Sequence, residues 1–274
     1  MVSKRIKYIA GSSVFIGVFL LSQACQVIPE NERFIPLKTA TNARTSLLVD
    51  FSGWRCINCP AAAEEAHALL QLYGDQLIVI EAHPAANSLT KPPTQHPEYD
   101  YTCPAADSLY VRMGGTNVTP LPQGVINLSQ TSNGGYFASP SEWGALIYSA
   151  QQTYDSVDIQ LNRISAEQIE YKLTNWTTRD AHCTLYMYLT EDSIRSAQYL
   201  PDSHTTDYIR NHLLRDAILP HAGIAVTINA FSEHTDTVAY TLPDHVVPEH
   251  AHIIAAIYSN GQVIQAQQTN ATEK

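Results

Sequence analysis

The chain has 274 residues, which is long enough for two ordinary domains. Its formal net charge of −10 at pH 7 and its pI of about 5.5 argue against nucleic acid or an anionic membrane surface as a partner. Function must therefore be inferred from the motifs along the chain.

The N-terminus has the order of a secretory signal. Three basic residues precede an apolar run at 8–21, and a short segment of mostly small residues leads into Cys25. A cysteine at that place resembles a bacterial lipobox, in which Cys25 becomes the lipidated first residue. Ser22 stands where leucine is usual, so a secreted protein with an unmodified Cys25 is the alternative. We predict a signal peptide over 1–24 and a lipidated tether over 25–44.

A strand that leads into a Cys-X-X-Cys motif follows the tether. Residues 46–51 are apolar and rich in β-formers, which predicts a strand buried on both faces. Beyond Cys56 and Cys59, apolar residues recur at helical spacing up to Tyr73, and residues 77–82 predict a second buried strand. In a strand–helix–strand unit this motif is typical of redox proteins.

The position of the cysteines suits disulfide exchange. The free N–H groups and positive dipole end at a helix start stabilise a thiolate, which is the reactive species. We predict that Cys56 attacks and Cys59 resolves the mixed disulfide, with Arg55 lowering the pKa of Cys56. The alternative is a structural disulfide that holds the start of the helix.

The same stretch resembles thioredoxin, whose central strand carries Val-Asp-Phe six residues before the first cysteine, as Asp50 precedes Cys56 here. The resemblance implies that Asp50 is buried, has a pKa raised by desolvation and accepts a proton from the resolving cysteine. Two departures leave the redox poise open. Trp54 is displaced one place from the cysteine, and Ile57-Asn58 replaces the usual Gly-Pro.

A cis-proline is the next feature that the resemblance implies. We assign it to Pro122, because an apolar run begins just after it, and Pro120 is the competitor. With an insertion at about 84–106, this proline would shape a groove for an extended substrate. Beside the proposed catalytic residues, the predicted groove contains Trp54, Arg55, Ile57, Asn58 and Leu121. A capping box at Ser139 starts the helix that closes this thioredoxin-like α/β domain, predicted over 45–153.

From residue 155 to 274 the pattern changes to short alternating segments. Seven such segments, separated by turn residues, predict an all-β sandwich of the immunoglobulin or fibronectin kind. One interruption, at about 192–220, contains a stretch at 207–217 that we predict to be helical.

The chain from about residue 46 to its end resembles the Omp28-related outer membrane lipoproteins of Bacteroidetes. The resemblance is carried, in order, by the phrases FSGWRCINCP, PQGVIN, LYMYLTEDSI, YIRNHLLRDA and IIAAIYSNGQVIQA. It implies a thioredoxin-like domain followed by a C-terminal sandwich. It also implies an outer-membrane location, periplasmic or surface-exposed, but no defined biochemical role.

The remaining cysteines and histidines give no further site. We predict that Cys103 and Cys183 are two independent buried thiols, although a bond between them or a redox role for Cys103 is an alternative. His250 and His252 lack a zinc-site pattern, so we expect no metal and no cofactor. His212 is expected to join a local hydrogen-bond network.

Two functions from different classes remain. The first is a membrane-anchored thiol–disulfide oxidoreductase that acts on cysteine-containing exported proteins or small disulfides, with an unknown redox partner. Its catalytic residues would be Cys56, Cys59, Asp50 and Pro122. The second is a non-enzymatic outer-membrane lipoprotein, a binding or assembly module with a structural Cys pair.

Overall fold

The computed structural model describes residues 44–92, 96–153 and 156–272. The predicted signal peptide, Cys25 and almost all of the predicted tether lie outside the described residues. The described residues all fall within one compact unit.

The N-terminal part alternates strands and helices, as the sequence predicts. Its first strand is apolar and completely buried, and its first helix ends at Gly74, whose φ of 54° is readily adopted by glycine. Its elements are β1 (Ser46–Phe51), α1 (Cys59–Tyr73), β2 (Leu77–Ala82), α2 (Pro104–Arg112), β3 (Gln123–Ile126) and α3 (Pro140–Gln151). The predicted capping box is present, because the Glu142 carboxylate accepts the Ser139 N–H at 2.8 Å.

The C-terminal part is built of strands, and all seven predicted segments form them. The strands are β4 (Val157–Ser165), β5 (Gln168–Asn175), β6 (Ala181–Glu191), β7 (Ile194–Tyr199), β8 (His204–Arg210), β9 (Leu213–Ala217), β10 (Ile224–Ile228), β11 (Glu233–Ala239), β12 (Ala251–Ser259) and β13 (Gln262–Asn270). An α/β part followed by a β-rich part is therefore the observed architecture.

The helix predicted at 207–217 is wrong. The stretch forms the end of β8 and the whole of β9, separated by a turn in which His212 has φ 61°. β8 pairs with β7, and β9 pairs with β6. These tertiary pairings override the weak helical pattern.

One mixed sheet runs through both parts of the chain. Its order is β13-β12-β6-β9-β2-β1-β3, with β10 beside β6. β1 is parallel to β2 and antiparallel to β3. The link between the parts is narrow, since β2 meets β9 at the single pair Glu81 and Leu213. The predicted domain boundary near 153–155 stays a prediction.

Three apolar clusters hold these layers together. One face of β1, β2 and β3 packs on α1 and α3 around Trp143. The other face forms a core with α2, β6, β12 and β13, so that Phe51 and Tyr188 belong to the same cluster. The three-stranded sheet β11-β5-β4 packs on the far side of β6 and β12. Residues of the α/β part and of the β-rich part thus pack together in one apolar cluster.

Candidate functional site

The Cys pair lies where β1 leads into α1. Cys56 and Cys59 form a disulfide with their Cα atoms 5.4 Å apart, and Cys59 is the first residue of α1. The turn between strand and helix passes close to the insertion. A Cβ on Gly53 would lie 2.8 Å from the Leu89 carbonyl oxygen, so only glycine fits there.

Both cysteines are buried although the residues around them are exposed. Cys56 is 3% and Cys59 is 2% exposed, whereas Ile57 between them is 46% exposed. Arg55 and Asn58 are also exposed. The residues next to the cysteines are therefore accessible to solvent while the cysteines themselves are not.

A hairpin from the β-rich part covers the Cys pair. Gln198 on β7 donates a hydrogen bond from Nε2 to the carbonyl oxygen of Cys56 at 2.8 Å. The next residue, Tyr199, donates its N–H to the Trp54 carbonyl at 2.8 Å, and the two rings lie 5.3 Å apart. The hairpin of β7 and β8 thus closes over the turn that carries Cys56.

Arg210, the last residue of β8, fixes this cover to the α/β part. Its guanidinium is buried, binds Glu81 Oε1 at 2.6 Å and donates to Gln198 Oε1 at 2.5 Å. The rings of Tyr101 and Tyr208 each lie 5.1 Å from its Cζ. A buried charge needs such partners because desolvation alone is costly.

The pKa values of the two carboxyl groups beside this network, those of Asp50 and Glu81, shift in opposite directions. Burial raises the pKa of Asp50 well above its usual range, and the negative charge of Glu81 raises it further. Burial also acts to raise the pKa of Glu81, but Arg210 and hydrogen bonds from His83 and Arg210 outweigh it and lower that pKa to about 2. Burial lowers the pKa of His83. The pKa of Asp50 is thus shifted upward while that of its neighbour Glu81 is shifted downward.

Some of the predicted site residues lie together in the interior, whereas others are exposed to solvent. Cys56, Cys59 and Leu121 belong to one buried cluster, and the Leu121–Pro122 peptide bond is cis, at the position that the sequence predicts. Of the predicted groove, Arg55, Ile57 and Asn58 are exposed, while Trp54 and Leu121 are buried.

Four residues at the site were not predicted from the sequence: Glu81, His83, Gln198 and Arg210. A charged Glu81 inside the apolar strand LIVIEA was the one available signal, since such a residue needs a buried partner. Gln198 and Arg210 lie in the stretch whose strands were not predicted.

The other predicted sites are simpler. Cys103 and Cys183 are both buried free thiols, as predicted, and burial raises the pKa of Cys103 to about 11. His212 joins the expected network through Asp192, 3.3 Å away, which also contacts His252 at 3.1 Å. Within the described residues, no group of three or more His, Cys, Asp or Glu side chains is arranged to hold a metal ion.

The fold and the site together define a class of protein with two parts. An α/β part carries a buried Cys pair, and one sheet joins it to a β-rich part. The family model described as outer membrane protein Omp28 matches residues 114–274, more than half of the chain. The chain belongs to the Omp28 family of outer membrane proteins. Its location is accordingly the outer membrane, and the described residues include no helix long and apolar enough to cross a bilayer.

Solved structures with a similar fold are distant in sequence. HBP35 of Porphyromonas gingivalis is 13% identical with a TM-score of 0.62, and the match covers 85% of this chain and 79% of that one. Protein AGR_C_4864 from Agrobacterium tumefaciens is 12% identical with a TM-score of 0.51, covering 86% and 98%. A domain of the outer membrane lipoprotein Omp28 from P. gingivalis is 16% identical with a TM-score of 0.25, covering 43% and 93%. None of the curated proteins compared with the chain matches it significantly.

Proposed function

We propose that this protein is a non-enzymatic binding or assembly module of the outer membrane, in which Cys56–Cys59 is a structural disulfide. The cover over the Cys pair carries the proposal. Exchange requires an incoming thiolate to reach a disulfide sulfur. Both cysteines are at most 3% exposed, and Gln198 binds the Cys56 carbonyl.

The scaffold that we propose for this module is a thioredoxin-like unit joined to an immunoglobulin-like sandwich. The order β1-α1-β2, with the Cys pair before the helix and an antiparallel β3 beside β1, supports the first part. Two β-sheets that pack around one apolar cluster support the second. We further propose that lipidation at Cys25 attaches this scaffold to the membrane.

A thioredoxin-like oxidoreductase is the second candidate, and Asp50 favours it. Asp50 is 2% exposed with a raised pKa, and its Oδ1 has no hydrogen-bond partner among the described residues. In this candidate Asp50 accepts the proton of Cys59 after Cys56 attacks a cysteine-containing exported protein or a small disulfide. Pro122 would shape the substrate groove, and the hairpin would have to open first.

The experiment that decides between them is the redox equilibrium of the full chain in detergent against glutathione. We expect a disulfide that resists reduction, with a potential below about −300 mV. A potential between about −120 and −270 mV, with a mixed disulfide trapped in Cys59→Ser but not in Cys56→Ser, would establish the oxidoreductase instead.

A further inference from the structure

The hairpin of β7 and β8 is a small sheet of its own. Among the described strands, β7 and β8 pair only with each other. A two-stranded hairpin is at best marginally stable by itself in water, so its contacts with the rest of the molecule hold it in place. The hairpin can therefore leave its position without breaking the pairing of any other described strand.

Two backbone N–H groups of β7 bind the α/β part directly. Ala197 donates its N–H to the Tyr101 hydroxyl at 3.0 Å, and Tyr199 donates its N–H to the Trp54 carbonyl at 2.8 Å. Both groups lose these partners when the hairpin moves away from the α/β part. The two amides thus report whether the hairpin is in the position that the structure shows.

Both ends of the hairpin pass through a residue with positive φ. Ser193, directly before β7, has φ 60°, and His212, two residues after β8, has φ 61°. Residues with a Cβ adopt this region only at a cost, and here neither residue is a glycine. The Ser193 N–H binds Asn211 Oδ1 at 3.0 Å, so the two turns lie side by side at the base of the hairpin.

The residues on the outer side of these two turns are bonded to other elements. Asp192 donates its N–H to the His250 carbonyl at 3.0 Å, and the His212 carbonyl accepts the Glu81 N–H at 2.8 Å. Rotation about the N–Cα bonds of Ser193 and His212 moves the hairpin and leaves both of these hydrogen bonds in place. The base of the hairpin therefore has the arrangement of a hinge.

The Asp192 side chain holds this hinge in the observed position. Its Oδ1 accepts the His212 N–H at 2.6 Å and lies 3.3 Å from His212 Nδ1, while its Oδ2 lies 3.1 Å from Nε2 of His252 on β12. Rotation about the His212 N–Cα bond turns the N–H away from the carboxylate. This hydrogen bond must therefore break when the hairpin opens.

We propose that the hairpin of β7 and β8 opens and closes as one unit against the turn that carries Cys56, moving about Ser193 and His212, with Asp192 as the latch that holds it closed. Opening separates Gln198 from the Cys56 carbonyl that it binds in the closed position. The inference concerns access to the Cys pair, so it holds whether the disulfide is structural or takes part in exchange.

The test is residue-resolved amide hydrogen exchange of the full chain in detergent. It gives an opening constant for Ala197, for Tyr199 and for Ile254, a buried residue of β12 that reports on the intact fold. The latch variant is Asp192→Ala. Its matched control is Asp202→Ala, at an exposed aspartate in the turn of the hairpin.

A second pair of variants tests the hinge itself. His212→Val places a β-branched residue at a φ of 61°, which such residues disfavour, whereas His212→Asn places a residue that adopts this region readily. Both keep the backbone N–H that binds Asp192. Their difference therefore reports the conformation of the hinge.

We expect one opening constant for Ala197 and Tyr199, larger than that of Ile254. Asp192→Ala should raise it about tenfold, because a hydrogen bond to a charged group is lost, while Ile254 and the Asp202→Ala control stay close to the wild type. His212→Val should raise it more than His212→Asn does. The proposal is overturned if Ala197 and Tyr199 exchange only together with Ile254, if their opening constants differ, or if Asp192→Ala leaves both unchanged.

Discussion

Asp50 and Glu81 face each other in register on neighbouring strands, yet the pKa values of their carboxyl groups shift in opposite directions. Both are buried, and the difference comes from Arg210, whose guanidinium binds Glu81 at 2.6 Å. Two buried carboxylates beside each other repel, so the pKa of the one that does not bind the cation rises. Asp50 therefore affects stability with a pH dependence opposite to that of Glu81.

The Asp50→Asn variant tests whether the pKa of Asp50 is raised in the folded protein. Because the folded-state pKa of Asp50 is raised, its contribution to stability is greatest below its ordinary value of 3.8 and is lost as the pH rises above that value. We expect the free energy of unfolding of the variant to increase relative to the wild type between pH 4 and pH 8, by about 1–3 kcal/mol. Urea unfolding across this range measures it.

The control is Asp202→Asn, at an exposed aspartate in the turn of the hairpin. It should leave the pH dependence of unfolding close to that of the wild type. A difference between Asp50→Asn and wild type that stays constant over the pH range would show that Asp50 is ionised in the folded protein.

Part of the residue-level site was predictable. The resemblance to thioredoxin implied that Asp50 is buried with a raised pKa, and Asp50 is 2% exposed with burial raising its pKa. The Arg210–Glu81 pair was not predictable, because its members are 129 positions apart and neither carries a local motif. Sequence patterns report nearest neighbours along the chain, whereas a buried ion pair depends on how distant strands meet.

At the scale of elements, the hairpin of β7 and β8 binds the Cys56 and Trp54 carbonyls, and we predict that it limits access to the Cys pair. Its outer face is exposed and polar, while Ser196, Ala197 and Gln198 on β7 are buried. Only its last residues, 207–210, belong to the stretch predicted as helical, and no strand was predicted for the rest. What makes it a hairpin is the register of β8 on β7 and the contacts of Gln198 and Arg210, none of which a local pattern contains.

Gln198→Ala should loosen this cover. The substitution leaves the Cys56 carbonyl and the Arg210 guanidinium each without one buried partner, at a cost of about 1–3 kcal/mol. We expect dithiothreitol to reduce Cys56–Cys59 about tenfold faster or more, because the open hairpin is more populated. Thiol alkylation followed over time measures the rate.

The matched control is Arg195→Ala in the same hairpin. Arg195 pairs with Asp207 on the exposed face, and such pairs contribute at most about 1 kcal/mol. Equal reduction rates in wild type and both variants would mean that the hairpin does not limit access to the disulfide.

Arg210→Met tests the anchor of the hairpin. Removing the cation leaves Glu81 as an unpaired buried carboxylate, so we expect a loss of about 3–5 kcal/mol in the free energy of unfolding. The double variant Glu81→Leu/Arg210→Met should recover much of that loss, since it leaves no unpaired charge. Additive losses in the double variant would contradict a direct Arg210–Glu81 coupling.

At the scale of the whole molecule, the two parts share an interior. The cluster around Phe51 and Val49 is completed by Tyr188, Ile254 and Val263 from the β-rich part. Composition and periodicity predict that the second part of the chain is built of strands, and its strands begin with β4 at Val157. They do not predict that one sheet and one core cross that position, because both depend on pairing between distant strands.

A fragment of residues 44–153 tests the shared interior. Without β6, β12 and β13, one face of β1 and β2 loses its cover, so we expect a fragment that binds ANS and lacks cooperative unfolding. The intact chain in detergent should show a cooperative transition in near-UV circular dichroism. A fragment that unfolds cooperatively at the same midpoint would show that the α/β part is an independent domain.

The position of the hairpin along the chain has a consequence for how the protein matures. Gln198 comes 142 residues after Cys56, whose carbonyl it binds. A chain exported from its N-terminus delivers both cysteines to the oxidising envelope well before the segment that covers them. We therefore expect Cys56–Cys59 to form before Gln198 binds the Cys56 carbonyl.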